Sequence, residues 1–337
     1  MKNRIIKFNG VYVSGVSSVV GKHEAEGPMG DKFDFCDVSD TFGSPTWEKA
    51  ESAMQKKAFE ILLEKCNLRA EDVGAMFAGD LQNQCVGSSY GLLEFPIPYI
   101  GLYGACSTAA EGMMLAAMTV SAGYFDLSAA VTSSHYLAAE RQYRSPTEYG
   151  AQRSPTAQWT VTGAGAFAIG RTGVVKITEA CPGIVMDKGI NDASNMGAAM
   201  APAAASTLLA YFDESGLMPS DFDGIFTGDL GFEGGSILCE LLSSKGLDIR
   251  AVYNDCGVMI YDRIKQDKHA GGSGCGCSAT VFAADIWKRL QCGVLKNVLL
   301  IGTGAMMSPS SIQQGLNIPA VAHLVRFEYG GNDGYCA

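Results

Sequence analysis

Cys66–Leu81 reads CNLRAEDVGAMFAGDL, and the same pattern returns at Ser215–Leu230, which reads SGLMPSDFDGIFTGDL. The two stretches align without a gap at an offset of 149 residues, so that Phe77 falls on Phe226. Each copy shows a helix end, a turn, a short apolar strand and then Gly-Asp-Leu. A repeat of this length predicts a duplicated structural unit.

A second pair of stretches extends the repeat. Gly104–Tyr136 reads GACSTAAEGMMLAAMTVSAGYFDLSAAVTSSHY, and Gly274–Met306 reads GCGCSATVFAADIWKRLQCGVLKNVLLIGTGAM, at an offset of 170 residues. Each copy has a glycine-rich turn, a long helix that ends at glycine, and an apolar run typical of a strand covered on both faces. We therefore predict an α/β protein of two similar halves, residues 1–173 and 174–337, which meet near Gly173.

The composition is that of a folded protein with a large core. Hydrophobic residues make up 47% of the 337 residues and charged residues 18%, which is too little charge for a disordered chain. The net charge of −10 argues against nucleic acid as a partner, because phosphates are repelled. The N-terminus lacks the apolar stretch of a signal peptide, and no apolar run reaches the roughly 20 residues of a membrane span, so we expect a soluble protein.

The eleven cysteines are scattered, and several lie in apolar runs, which favours reduced, buried thiols. Cys275 and Cys277 are too close together, and too far from other ligands, to predict a zinc site. We expect neither a bound metal nor a cofactor.

Cys106 is the candidate nucleophile. It lies in Tyr103–Ala110, YGACSTAA, directly before a long Ala/Met-rich helix. The unpaired N–H groups and the positive dipole end of a helix favour anions, so they lower the pKa of a thiol at this place and make it more nucleophilic. The same geometry, including the N–H of Ser107, suits a ligand carboxylate. A buried structural cysteine is the other interpretation.

Three further residues stand at the ends of predicted strands. Asp80 and Asp229 occupy matching places in the repeat, and each either accepts hydrogen bonds from a tight turn or faces a shared crevice, where the two carboxylates suit a cation such as calcium. His135 follows the predicted strand Leu127–Ser134 and, since ligands bind at the carboxyl ends of strands in α/β sheets, is a candidate pocket residue.

The turn around Cys106 resembles the nucleophile turn of the thiolase superfamily, especially its type III ketoacyl synthases. Thr160–Ile169, TVTGAGAFAI, resembles the glycine-rich strand of the same superfamily. This resemblance extends over essentially the whole chain. It implies a thiolase-like fold in which duplicated βαβαβαββ halves form a five-layered αβαβα sandwich. It also implies a homodimer that pairs through the sheet edge of the first half.

The second half departs from that superfamily. Its condensing enzymes pair the cysteine with two residues, His and His or His and Asn, that follow one strand and precede the last long helix. Here the matching stretches are Thr227–Gly231, TGDLG, and Gly272–Cys277, GSGCGC, which contain neither His nor Asn. Losing one oxyanion donor costs about 3 kcal/mol, and an aspartate repels the developing negative charge, so we expect no Claisen condensation.

A narrower resemblance accounts for these departures. The pattern is similar to the stage V sporulation protein AD family, and it rests on Val11–Gly15, Gly27–Gly30, Asp40–Gly43, Ala78–Leu81, Gly104–Ala109, Ser133–Tyr136 and Glu140–Arg144. The resemblance implies a protein that binds dipicolinic acid, with or without calcium, and helps it cross the spore inner membrane. It implies other stage V sporulation proteins of that membrane as partners, and a peripheral location there.

An aromatic diacid needs a flat apolar slot and positive charge or N–H donors for its carboxylates. On this interpretation the ligand-binding residues are Asp80, Cys106, Ser107, His135, Arg144 and Asp229, and Arg141 is a further source of charge. Two alternatives stay open: an acyltransferase in which Cys106 is the covalent nucleophile, and a scaffold whose pocket has no function.

Overall fold

The computed structural model describes residues 3–143 and 154–331 of the chain. The strands are β1 (Ile6–Lys7), β2 (Tyr12–Gly21), β3 (Phe35–Asp37), β4 (Ala75–Gly79), β5 (Tyr99–Gly101), β6 (Leu127–Ser134), β7 (Trp159–Thr160), β8 (Gly163–Gly170), β9 (Val175–Cys181), β10 (Gly224–Thr227), β11 (Tyr253–Asp255), β12 (Gly272–Ser273), β13 (Asn297–Ala305) and β14 (Ala320–Tyr329). The α-helices are α1 (Lys22–Ala25), α2 (Trp47–Cys66), α3 (Val86–Gly91), α4 (Thr108–Ser121), α5 (Tyr136–Tyr143), α6 (Met196–Ser215), α7 (Gly231–Ser243), α8 (Cys256–Ile260), α9 (Cys275–Val281), α10 (Trp287–Gln291) and α11 (Pro309–Gln313).

The main sheet is a mirror arrangement of two sets of five strands. Its order is β11-β10-β13-β14-β9-β2-β8-β6-β4-β5, so the sequence of neighbours reverses where β2 meets β9. At that junction Tyr12 is antiparallel to Lys176 and Val13 to Val175. Gly173 lies in the turn between β8 and β9, shortly before Val175, which belongs to the second of these pairs.

The strand register repeats between the halves. Ala75 of β4 pairs with Ser128 of β6, and Gly224 of β10 pairs with Val298 of β13. The first residues of these pairs are 149 apart in the chain and the second are 170 apart, which are the two offsets of the sequence repeat. The repeat therefore corresponds to equal pairing as well as to equal elements.

The helices form layers against both faces of the sheet. Helix α2 packs on the first half through a cluster that includes Met54, Phe59 and Leu62, and α6 and α7 pack on the second half. Helices α4 and α9 lie between the halves, where Met113 and Val281 share one core. This arrangement confirms the predicted α/β fold.

Helix ends are fixed by local chemistry. Thr46 caps α2 by accepting a hydrogen bond from the N–H of Lys49, and Asn195 caps α6 in the same way for Ala198. Helix α6 ends at Gly216 with φ of +70°, the left-handed conformation that favours glycine.

The ten described cysteines are free thiols. In the part of the chain that the structure describes, no helix has the length and hydropathy needed to cross a membrane.

Candidate functional site

A small cavity lies at the carboxyl ends of β4 and β13, on the side of the sheet where the turn of Cys106 leads into α4. Its apolar lining consists of Leu81, Ala105, Ala139, Ala193, Met196, Ala305 and Met307. Its polar lining consists of Tyr103, Cys106, Glu140, Thr160 and Ser273. The volume open to the centre of a water-sized sphere is about 40 Å³. Since one water needs roughly 10–15 Å³ by this measure, the cavity holds a few waters.

A strained turn aims Cys106 into this cavity. Ala105 has φ of +49°, a conformation that costs a non-glycine residue free energy and is found mostly where surrounding structure enforces it. The turn Ala105–Ser107 is a 3₁₀ helix that leads directly into α4. Gly304 of β13 lies against it so closely that a Cβ atom there would overlap the carbonyl oxygen of Gly104.

Ser107 serves this turn and does not face the cavity. Its hydroxyl and its N–H both donate to the carbonyl oxygen of Gly104, at 2.6 and 3.0 Å, and its side chain is fully buried. The prediction that the N–H of Ser107 is open to a ligand is wrong, because the turn itself uses it.

Asp229 is close enough to Cys106 for its negative charge to act on the thiol. Its carboxylate accepts hydrogen bonds from the Thr303 hydroxyl at 2.6 Å and from the N–H of Gly274 at 2.8 Å. All of these groups are buried. Burial raises the pKa of Asp229 to about 7.

The thiol of Cys106 is held in its protonated form. Burial first, and then the negative charge of Asp229, raise the pKa of Cys106 well above its usual value. The sequence predicted the opposite direction from the helix N-terminus. That prediction is wrong, because desolvation and the adjacent carboxylate outweigh the dipole of α4.

The two places that would carry His or Asn in a condensing enzyme have a different use here. Asp229 follows β10 and faces Cys106, while Gly274, in the turn before α9, contributes only its backbone N–H to Asp229. An oxyanion next to Cys106 would meet a carboxylate in place of a donor.

Asp80, the repeat partner of Asp229, lies in a separate buried network. Its carboxylate accepts hydrogen bonds from the backbone N–H of Gln82 and from both the N–H and hydroxyl of Ser88. Glu51 of α2 is close by and accepts from Gln82 and Ser133. Burial raises the pKa of both carboxyls, and for Glu51 the charge of Asp80 adds to the effect.

Two neighbouring residues that follow β4 have different roles. Leu81 lines the cavity, whereas Asp80 points away from it into hydrogen bonds with the turn, the first of the two roles considered for it. In residues 3–143 and 154–331 no cluster of three His, Cys, Asp or Glu residues is placed to hold a metal ion. Glu51 was missed, although its spacing with Met54, Gln55 and Ala58 on the apolar face of α2 indicates burial.

His135 lies outside the cavity lining. Its Nε2 is 2.8 Å from the carbonyl oxygen of Asp40, and its ring packs near Trp47 with centroids 5.6 Å apart. Burial lowers the pKa of His135, so the ring is neutral near pH 7. The prediction that it supplies positive charge to a ligand is wrong for this reason.

The predicted arginines do not bring charge to the described cavity. Arg141 of α5 forms an ion pair with Glu48 at 3.2 Å on the surface. Arg144 lies outside the described residues. Within the described lining the one charged side chain is Glu140, which is 8% exposed and which the sequence interpretation did not select as a ligand contact.

Comparisons with known proteins identify relatives in sequence and in fold. A family model described as Stage V sporulation protein AD (SpoVAD) matches residues 2–328. A protein of Bacillus subtilis (strain 168) named Stage V sporulation protein AD is 41% identical over 322 residues, which are 95% of each chain.

Solved structures of OleA from Xanthomonas campestris share the thiolase-like fold. A single-residue variant gives a TM-score of 0.61 at 15% identity and covers 96% of this chain and 99% of that one. Cerulenin-bound OleA gives a TM-score of 0.59 at 15% identity, with 95% and 98% covered. At this identity the likeness shows the fold alone, and it confirms the thiolase-like prediction.

Proposed function

The chain belongs to the stage V sporulation protein AD family, and we propose on that basis that it binds dipicolinic acid and does not condense acyl groups. It is a sporulation protein with a thiolase-like fold. The finer proposal is that it takes dipicolinate as the calcium chelate and supports its passage across the spore inner membrane. The single observation that carries the loss of catalysis is the buried carboxylate of Asp229 beside Cys106, with no histidine or asparagine in its place.

The charge of the cavity favours the chelate over the free dianion. Glu140 is the charged side chain in the described lining, and Asp229 lies directly behind Cys106. A free dicarboxylate would bring two more negative charges to this place. In the one-to-one calcium chelate those charges are neutralised, and the ion keeps positions for further oxygen ligands, which Glu140, Thr160 and Ser273 offer.

The apolar lining suits the flat pyridine ring, but the cavity in this structure is smaller than the ligand. Met196 and Met307 lie in the wall, and unbranched methionine side chains change rotamer easily. Binding on this proposal displaces these two side chains and widens the cavity, while the strained turn at Ala105 stays in place.

The partner proposals rest on surface features. The outer edge of β5 has no strand partner among the described residues, and Tyr99 and Ile100 on it are exposed. Tyr90 and Leu93 nearby are 70% and 73% exposed. An apolar patch beside an open sheet edge supports the proposed homodimer. Contact with membrane proteins of the same sporulation stage, at the spore inner membrane, completes the proposal.

Calorimetric titration with dipicolinate, with and without calcium, tests the binding proposal. Wild-type protein is expected to bind saturably and more tightly with calcium. Ala193→Phe fills the cavity wall and is expected to abolish binding, whereas Ala122→Phe, on the surface at the end of α4, is the matched control. Absence of binding by folded wild-type protein at millimolar ligand contradicts the proposal.

Acyl transfer to Cys106 is the second candidate, because this thiol lines the cavity and a carboxylate is in place to accept its proton. Its raised pKa opposes this function. Incubation with acetyl-coenzyme A followed by mass spectrometry separates the candidates. An acetyl increment on Cys106 that is absent from Cys106→Ala supports acyl transfer, and an unmodified Cys106 rules it out for this donor.

A further inference from the structure

A second and larger cleft lies at the other end of the sheet. It is formed by the start of β2, the end of β8, the C-terminus of α2 and the outer side of α10, and by the measure used above its volume is about 920 Å³. Leu127 lines the cleft at the start of β6, while His135 follows the end of that eight-residue strand. At 3.3 Å per residue, the cleft is roughly 25 Å along the sheet from the Cys106 side.

The cleft is basic in an acidic protein. Lys65, Arg171 and Lys288 line it, against one carboxylate, Asp126, while the whole chain carries a net charge of −10. Lys65 forms an ion pair with Asp34 at 2.9 Å. Lys288 donates only to the carbonyl oxygen of Lys32, and among the described residues neither it nor Arg171 forms an ion pair with a carboxylate.

The floor of the cleft carries a β-bulge. The pairing of β2 with β8 slips between Val13 and Gly15, so Ser14 is a bulge in the floor of the cleft. Bulges of this kind interrupt the ladder and leave backbone groups for other contacts.

We propose that this cleft binds an acidic segment of a partner polypeptide, whose carboxylates pair with Arg171 and Lys288. Charge complementarity carries the choice of occupant, since an acidic protein otherwise repels such a segment. The volume of about 920 Å³ suits a peptide segment better than a small anion. The concave shape keeps the lining charges from a flat bilayer surface.

Fluorescence anisotropy on the full-length protein tests this proposal. The probe is a short fluorescein-labelled peptide in which glutamates alternate with leucines, and the matched probe has glutamines in their place. We expect saturable binding of the glutamate peptide alone, and weaker binding as salt is added. Arg171→Glu combined with Lys288→Glu is expected to weaken it by about tenfold or more.

The controls keep the result specific to the cleft. Lys188→Glu combined with Lys245→Glu makes the same charge change at exposed positions elsewhere and is expected to leave binding unchanged. The cleft reversal leaves dipicolinate titration unaltered, so failure here and failure of the proposed function are distinguishable.

Three results overturn the proposal: equal binding of the glutamine peptide, equal affinity of the cleft and control reversals, or binding to phosphatidylglycerol vesicles without binding to the glutamate peptide. The last result would identify the cleft as a membrane contact.

Discussion

The carboxylate of Asp229 lies beside the thiol of Cys106, and both side chains are buried at the point where the two halves of the molecule meet. In this pair the carboxylate follows β10, the place at which a condensing enzyme of the same fold carries histidine. The pair holds the thiol protonated, so the fold keeps the nucleophile turn while suppressing its reactivity.

Asp229→Asn is expected to make Cys106 more reactive. The substitution removes a negative charge next to the thiol and lowers its pKa, although burial still keeps the pKa high. At pH 8, where most of the wild-type Asp229 is ionised, we expect about tenfold faster alkylation by iodoacetamide, the effect of roughly one pKa unit. Peptide mass spectrometry measures the rate, and Cys181, buried in another core, is the internal control. An unchanged rate in a folded variant would show that Asp229 does not restrain the thiol.

Glu51 is expected to make stability fall as pH rises. Its folded-state pKa is raised from 4.5 to about 8, first by burial, so the folded protein binds a proton that the unfolded chain releases between these values. The stabilising contribution is complete below about pH 4.5 and is lost as pH rises towards 8. Urea unfolding of wild type and of Glu51→Gln at pH 5 and at pH 8 gives the free energy of unfolding of each protein. Between pH 5 and pH 8, wild type should therefore lose stability relative to the variant.

The comparison with a variant is needed because other groups titrate in the same range. The pKa of buried Glu24 is raised to about 7, mainly by burial, so Glu24 also makes stability fall as pH rises. Burial lowers the pKa of His135, and this makes stability rise with pH. Glu60→Gln, exposed on the same helix as Glu51, is the control and should show no such shift. A pH-independent difference for Glu51→Gln would contradict the prediction.

Gly304→Ala is expected to disturb the turn that carries Cys106. A Cβ atom at this position overlaps the carbonyl oxygen of Gly104, and neither backbone can move without shifting β13 or the turn. We expect a loss of about 2–4 kcal/mol in the free energy of unfolding, together with weaker dipicolinate binding. Gly101→Ala is the control, because a Cβ there meets only the Tyr99 side chain at 3.2 Å. Equal urea midpoints for the two variants would show that the packing against Gly104 is not tight.

Glu140→Gln is expected to reduce the calcium dependence of ligand binding. Without the carboxylate, free dipicolinate meets less repulsion and binds about tenfold more tightly, whereas the chelate loses a ligand to its ion. The ratio of calorimetric affinities with and without calcium should therefore fall. Glu240→Gln, exposed on α7, should leave the ratio unchanged. If the ratio also survives Glu140→Gln, the carboxylate does not contact the chelate.

The arrangement of elements was predictable because it depends on periodic patterns that recur. The offsets of 149 and 170 residues, read from the chain alone, also relate the pairing of Ala75 with Ser128 to that of Gly224 with Val298. The absence of His and Asn from the second half was visible in the same way, and so was the position of Asp229 at a strand end.

Protonation states were not predictable, because they depend on burial by residues distant in the chain. The sequence shows the helix after Cys106 but not the carboxylate of Asp229, which lies 123 positions further on and reverses the direction of the pKa shift. His135 was placed at the correct strand end, but the side to which its ring turns depends on Asp40 and Trp47. Glu140 lines the cavity only because α5 packs beside β7, a contact that no local pattern contains.

The central position of α4 has a consequence for synthesis of the chain. This helix packs on β4 and β6 of its own half and also on β13 and β14, which are made last. Until α9, β13 and β14 leave the ribosome, the side of α4 that carries Ala110 and Met113 lacks its contacts with these elements of the second half. The nascent first half therefore exposes an apolar surface for most of translation. We expect chaperone binding to be strongest before the second half covers this surface.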